Sequence, residues 1–264
     1  MRISASSYSN TAPLIWSFLY GRNRGKVELI LDNAPARSAE LLAQDRVDAA
    51  LVPVIAYQTV GKVKLIPDVC VGARSRVRSV CLITKGADLA DVQSVSLDTS
   101  SRTSVLLTKI IFREFFGFEP QWTNARPDLD AMLKGSDAAL LIGDPALALS
   151  VPPAAASRTF SVFDLAEIWH RHTGLGFVFA MWMTRRERVV IDFAAARDEG
   201  LDHIDEIAAN YSPQIGLNRD EMKFYLTENI SYTPDESMIQ GMELYFRLAA
   251  SHGLISRNRP LNFI

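Results

Sequence analysis

Residues 92–117 read VQSVSLDTSSRTSVLLTKIIFREFFG, and this stretch decides the fold class. Val92–Leu97 reads as a strand. Asp98-Thr99-Ser100-Ser101 is a loop with the side chains that cap helices. From Val105 to Phe116, the residues Leu106, Ile110, Phe112 and Phe116 recur at helical spacing, and Gly117 stops the run. Strand, polar loop and helix follow one another in a single α/β unit, and the sequence repeats that unit on both sides.

Upstream, strand-like runs at Arg2–Ala5, Val27–Leu31 and Ala49–Val52 alternate with helical runs at Thr11–Leu19 and Ser38–Gln44, and a helical turn follows Pro53. Such alternation predicts βαβ units and mostly parallel strands. Lys64–Val71 and Val77–Thr84 follow as two strand-like runs separated by Gly72 and a basic turn. Downstream, Pro120–Thr123 and the wholly apolar Ala138–Ile142 read as strands around a helix at Leu129–Lys134, and Phe177–Met183 is the last strand-like run. The remainder reads as helical, with a capping-box pattern at Asn218 and Glu221. Thr233-Pro234-Asp235-Glu236 predicts a further helix start, with Thr233 as cap and Gly253 as the stop.

Two successive sets of strand–helix alternation, followed by helices alone, predict an α/β protein of two lobes with mixed sheets and a C-terminal helical segment. Residues 1–85 plus 185–264 would form lobe one and residues 86–184 lobe two, joined near 84–86 and 182–185. That is the arrangement of type II periplasmic-binding-protein folds, whose ligands sit between the lobes at strand C-termini and helix N-termini.

Composition limits the function. The 264 residues are 48% hydrophobic and carry 28 Lys+Arg against 30 Asp+Glu, which argues against an electrostatic nucleic-acid binder. No apolar run approaches the roughly 18 residues of a membrane span. The polar stretch Ser4–Asn10 occupies the place of a signal peptide's apolar core, so the expectation is a cytoplasmic protein. Cys70 and Cys81 lie in apolar runs and read as buried free thiols. His170 and His172 form an HxH pair without an evident third metal ligand. Gly-rich phosphate loops, GxSxG and HExxH are absent from the sequence.

Four polar clusters fall at predicted strand ends. Ser7-Tyr8-Ser9-Asn10-Thr11-Ala12-Pro13 is either a capping loop or a set of donors facing a ligand. Arg74, Arg76 and Arg78 would share one face of an extended segment, with Ser79 on the opposite face; this reads as a solvated edge strand or as a carboxylate-holding or hinge strand. Asp98–Ser104 places five hydroxyls in residues 99–104, more than one cap requires. In Ile142-Gly143-Asp144-Pro145, Gly143 permits close ligand approach, and Asp144 is either a ligand contact or an N-cap.

Together these clusters resemble a family. Ser9-Asn10-Thr11-Ala12-Pro13-Leu14, Gly72-Ala73 with Val77-Arg78-Ser79-Val80, Leu97-Asp98 with Ser101-Arg102-Thr103-Ser104, and Leu141-Ile142-Gly143-Asp144-Pro145-Ala146-Leu147 occur in the order of the MqnA proteins. So do Asp164-Leu165, Trp169, Thr173-Gly174-Leu175 and Phe177-Val178-Phe179-Ala180. MqnA proteins are the chorismate dehydratases of the futalosine route to menaquinone. Gly176 departs from the pattern, in which a proline precedes the Phe-Val-Phe run. The sister MqnD lyases share the fold but open with a different N-terminal loop.

The resemblance implies a cofactor-free and metal-free loss of water from chorismate, giving 3-[(1-carboxyvinyl)oxy]benzoate. Asn10 and Ser79 would be the catalytic side chains. Ser9, Thr11, Arg78, Ser101, Arg102, Thr103, Ser104, Gly143 and Asp144 would bind substrate. The competing class is a non-catalytic solute-binding protein of the same fold, which would carry a secretion signal or a lipoprotein cysteine. Neither nucleic acid nor membrane is an expected partner, and the sequence leaves the oligomeric state open.

Overall fold

The computed structural model describes residues 1–32, 35–149 and 160–264. The first sheet contains β1 (Arg2–Ser6), β2 (Glu28–Asp32), β3 (Ala49–Pro53), β4 (Lys64–Ala73) and β10 (Phe177–Thr184), in the order β2-β1-β3-β10-β4. The second contains β5 (Val80–Thr84), β6 (Ser94–Asp98), β7 (Gln121–Ala125), β8 (Ala138–Ile142) and β9 (Ser161–Asp164), in the order β7-β6-β8-β5-β9. Both are mixed. β1 pairs parallel with β2 and β3, while β10 runs antiparallel to β3 and β4. β6 pairs parallel with β7 and β8, while β5 runs antiparallel to β8 and β9.

Sequence explains strand position within each sheet. β3, β5 and β8 are buried at every residue and are almost wholly apolar, as strands covered on both faces must be. β7 carries Gln121, Thr123 and Asn124 exposed and lies at an edge, where polar side chains discourage further pairing.

The chain passes between the sheets at places other than those the sequence suggests. β5 belongs to the second sheet, matched residue for residue with β8 from Val80↔Ile142 to Thr84↔Ala138. β10 belongs to the first, laddered to Thr184. The connections therefore fall at 74–79 and at 165–176, not near 84–86 and 182–185. Two apolar strands need neighbours on both sides, and those neighbours lie in opposite sheets.

The segment 74–79 is also not an edge strand. Val77 and Arg78 donate their N–H groups to the Asp164 carboxylate, at 3.0 and 2.6 Å, instead of to a ladder. Arg78 has a left-handed backbone, φ 61°. The three arginines consequently part company: Arg74 pairs with Asp235, and Arg76 lies toward Asp164 and Glu167.

The helix of the opening stretch runs as Arg102–Ile110 and continues into a π-helical segment, Ile111–Phe116. After β10, the helix Phe193–Asp202 packs on the helix Ala12–Leu19 and on β4, Ile204–Ile215 touches both Ala12–Leu19 and the helix Gly143–Leu149 of the second lobe, and Arg219–Phe224 packs on Ile204–Ile215. The second of the capping patterns shifts by two residues: Asp235, not Thr233, caps the helix Glu236–Ser251, accepting from Met238 N at 2.9 Å. Asn218 and Glu221 form the full capping box. The last residues are not helical, and Phe263 bridges to Leu65. Cys70 and Cys81 are both free and buried.

Candidate active site

A cavity lies where the two sheets face each other, enclosing about 560 Å³ of space with the solvent at its mouth included. Its apolar wall comes from Leu51, Val71, Val77, Val80 and Phe179. Its polar rim comes from Tyr8, Asn10, Thr11, Ser101, Ser104 and the Gly143 backbone. Each polar group sits at the C-terminal end of a strand or the start of a helix. β1 leads into the Ser9–Thr11 turn, β6 into Ser101–Ser104, and β8 into Gly143. A βαβ chain delivers loops to that edge, so residues far apart in sequence meet there.

The lobes touch across the cavity. Asp144, in the first turn after β8, accepts from Ser9 N at 3.2 Å and from Ser9 Oγ at 2.5 Å. Thr103 Oγ1 accepts from Ile55 N at 3.3 Å, and Arg102 pairs with Glu40 at 3.3 Å. The Tyr8 ring packs on Gly143, where an added Cβ would come within 3.0 Å of it. Gly143 also holds φ +65°, a backbone that favours glycine.

The proposed catalytic residues are placed as follows. Asn10 lines the cavity. Ser79 is buried between Val77 and Val80, both lining residues, and its carbonyl accepts from Gly143 N at 2.7 Å. Among the expected substrate contacts, Ser9 is committed to Asp144, and Thr11 Oγ1 donates to the carbonyls of Ser6 and Tyr8. Ser101 caps its helix by accepting from Ser104 N. Arg102 and Thr103 reach across to the first lobe, whereas Ser101 and Ser104 line the cavity. Arg78 is half-buried.

Two residues that sequence reading did not single out organise this site. Asp164 caps the helix Leu165–Thr173 with one oxygen, accepting from Ala166 and Glu167, and holds the Val77–Arg78 peptide with the other. That single carboxylate sets where Ser79 begins. Tyr225, wholly buried in the C-terminal half, brings its hydroxyl toward Ser79 and Asn10. The motif Asp164-Leu165 could have pointed to the first; nothing local to Tyr225 points to the second.

Three carboxylates in and behind the site, Asp98, Asp144 and Asp164, are held above the usual carboxylate range, in each case because burial disfavours the charge. Tyr8 and Tyr225 are likewise pushed up by burial. His172 stacks on Phe115 at 4.4 Å, and His170 Nδ1 lies 3.3 Å from Leu175 O. Among the described residues, no group of three or more His, Cys, Asp or Glu side chains could hold a metal ion. The site's chemistry is therefore that of a small, largely apolar chamber with hydroxyl, amide and backbone N–H donors.

Two α/β lobes with a cleft at their strand ends define the periplasmic-binding-protein class of fold. Solved structures agree. An Archaeoglobus fulgidus protein superposes with a TM-score of 0.76 at 16% identity, covering 96% of this chain and 98% of its own. A Candida albicans protein described as having the generic periplasmic binding protein fold gives 0.70 at 13% identity, covering 98% and 92%. The aliphatic sulphonate binding protein SsuA from Escherichia coli gives 0.64 at 15%, covering 100% and 93%. Within that class the chain belongs to the menaquinone biosynthesis family, whose model matches residues 1–251. A relative from Thermus thermophilus, 34% identical over 255 residues with 90% of this chain and 91% of its own covered, is named chorismate dehydratase. Among the described residues, no helix is long and apolar enough to cross a membrane.

Proposed function

We propose that this chain is a hydro-lyase that converts chorismate to 3-[(1-carboxyvinyl)oxy]benzoate and water. The observation that supports the reading is the gathering of Asn10, Ser101 and Ser104 around one cavity, with Ser79 buried between its lining residues Val77 and Val80, in a chain 34% identical to a chorismate dehydratase. Chorismate is a dianion on a cyclohexadiene ring. Losing the ring hydroxyl and the hydrogen on the neighbouring ether-bearing carbon makes the ring aromatic, which drives the reaction without a redox partner.

Among the described residues, those lining the cavity include no histidine or lysine to act as base. A substrate carboxylate, positioned over the ether-bearing carbon, takes the proton; holding the two groups together raises their effective concentration. The C–O bond then breaks, and the departing hydroxide leaves with that proton as water. Ser79 and Asn10 hydrogen-bond the departing oxygen and orient the ring. Ser101 Oγ already caps Ser104 N; the Arg102 and Thr103 N–H groups, at the start of the helix Arg102–Ile110, receive one carboxylate together with the Ser101 and Ser104 hydroxyls. Ser9, Thr11, Arg78, Arg102, Thr103 and Asp144 hold the loops and lobes that shape the chamber, and Gly143 lets the Tyr8 ring pack against the backbone as part of its wall. Closure excludes water and strengthens each contact. As a biosynthetic enzyme the protein would act in the cytoplasm.

The test is the purified protein with chorismate alone. The expected result is the aromatic product, undiminished by EDTA. Binding of chorismate without turnover would favour a solute-binding protein of the same fold, and activity lost to EDTA but restored by a divalent ion would overturn the metal-free reading.

A further inference from the structure

We propose that Tyr225 is a positioning residue of this site: its buried hydroxyl links Asn10 to Ser79 and holds the Ser79 proton toward the substrate. The inference rests on the dehydratase reading.

Tyr225 is wholly buried, yet its hydroxyl makes no hydrogen bond of good geometry. A buried phenol without a partner is costly, and native structures rarely tolerate one without a reason. The polar side chains near it are those of Ser79 and Asn10 and the buried hydroxyl of Tyr232, and the charges of Asp144 and Arg78 also act on it. Asn10 lines the cavity, and Ser79 lies between the lining residues Val77 and Val80 at the end of the connection between the lobes. Tyr225 comes from neither motif; it begins the π-helical segment Tyr225–Asn229, after the helix Arg219–Phe224. Wide turns of this kind recur at functional sites because they re-aim a side chain within a helix.

The proton count closes. A phenol has one hydrogen and two lone pairs. A small rotation of these side chains lets the Asn10 amide donate to the Tyr225 oxygen and Tyr225 donate to Ser79 Oγ. Ser79 is then free to donate to the departing oxygen of the substrate. Without that link its hydroxyl turns toward the Val77 carbonyl, a contact of 3.5 Å that is long for a hydrogen bond. Burial raises the Tyr225 ionisation, so the phenol keeps its proton in neutral solution. A chain of such donors strengthens its last member.

Tyr225→Phe removes the oxygen and keeps the ring. A role confined to packing leaves turnover unchanged. The expected result is a drop in kcat of about tenfold, the worth of one hydrogen bond, with KM moved by less than about twofold and an unchanged melting temperature. In a Ser79→Ala background the same substitution should cost less than about twofold, because the two act through one contact. A Tyr225→Phe enzyme within about twofold of the parent kcat, or a full additive loss in the Ser79→Ala background, overturns the proposal. Crystal structures of the parent and Tyr225→Phe proteins provide a readout independent of turnover. If the parent does not dehydrate chorismate, the dehydratase reading fails. A displaced Ser79 Oγ in the variant still supports the positioning role, and an unchanged one overturns it.

Discussion

Ser79 has its backbone tied on both sides. It is fully buried, its N–H bonds to the Val77 carbonyl at 2.8 Å, and its own carbonyl receives Gly143 N. Replacing Ser79 or Asn10 with alanine removes polar atoms and little packing. Each change should lower turnover by about 2–4 kcal/mol of transition-state stabilisation, as for a lost oxyanion donor, without altering the circular dichroism spectrum. Arg74→Ala is the contrast: this side chain is 76% exposed and pairs with Asp235, so steady-state rates should stay near those of the parent. Near-normal turnover in both Asn10→Ala and Ser79→Ala would remove them from the active site while leaving the family assignment intact.

At the level of elements, the site depends on how strand ends and helix starts are tied. Asp164 joins the helix Leu165–Thr173 to the loop that carries Ser79, using both oxygens as acceptors. Asparagine offers one acceptor and turns an NH2 toward the other pair of N–H donors. Asp164→Asn should therefore lose about 1–3 kcal/mol in urea unfolding and lower kcat as well; unchanged stability would refute the shared-cap account. The second tie is the close approach of the helix Glu236–Ser251 to residues 174–176. A Cβ at Gly241 would lie 2.0 Å from Gly176 O, and Gly176 N donates to Ser237 Oγ at 3.0 Å. Gly241→Ala should cost about 1–3 kcal/mol by overpacking. Gly176→Pro should also destabilise this chain, despite the proline expected at that position in MqnA proteins. It deletes the bond to Ser237 and pushes a carbon to within 2.6 Å of Met238 Cγ. Thermal melts of the two variants decide both.

For the molecule as a whole, burying carboxylates behind a cleft leaves a pH signature. Asp98 is fully buried, and burial holds it above its unfolded range although Ser100 donates to it from N and Oγ. Between the unfolded and folded values the native state binds more protons than the unfolded one. That part of the stability is therefore present at low pH and lost as pH rises through the raised folded value. Asp98→Asn keeps an acceptor for Ser100 and cannot ionise. The variant should gain stability relative to the parent as pH rises out of the acid range into neutrality, measured by denaturant unfolding at several pH values. A constant difference across that range would show that Asp98 does not titrate abnormally.

The sequence by itself determined the class of the fold and marked several of the residues that line the cavity. Hydrophobic period and hydroxyl-rich caps marked the α/β units, because strand and helix periods are local properties of the chain. The helix after Leu129 and the strand Ala138–Ile142 lie where those periods place them. Asn10, Ser101, Ser104 and Gly143 were legible because loops after parallel strands gather at one edge. The tertiary structure alone decided which sheet took β5 and β10, since an apolar strand records that it is buried but not beside which neighbour. It also decided the 74–79 loop, whose alternating arginines imitate an extended strand, while the Asp164 carboxylate 86 residues away from Arg78 captures the backbone donors. Tyr225 follows the same logic. A tyrosine in an amphipathic helix looks like core until folding brings its hydroxyl to two residues more than 140 positions upstream, and long-range contact of that kind leaves no local periodicity to read.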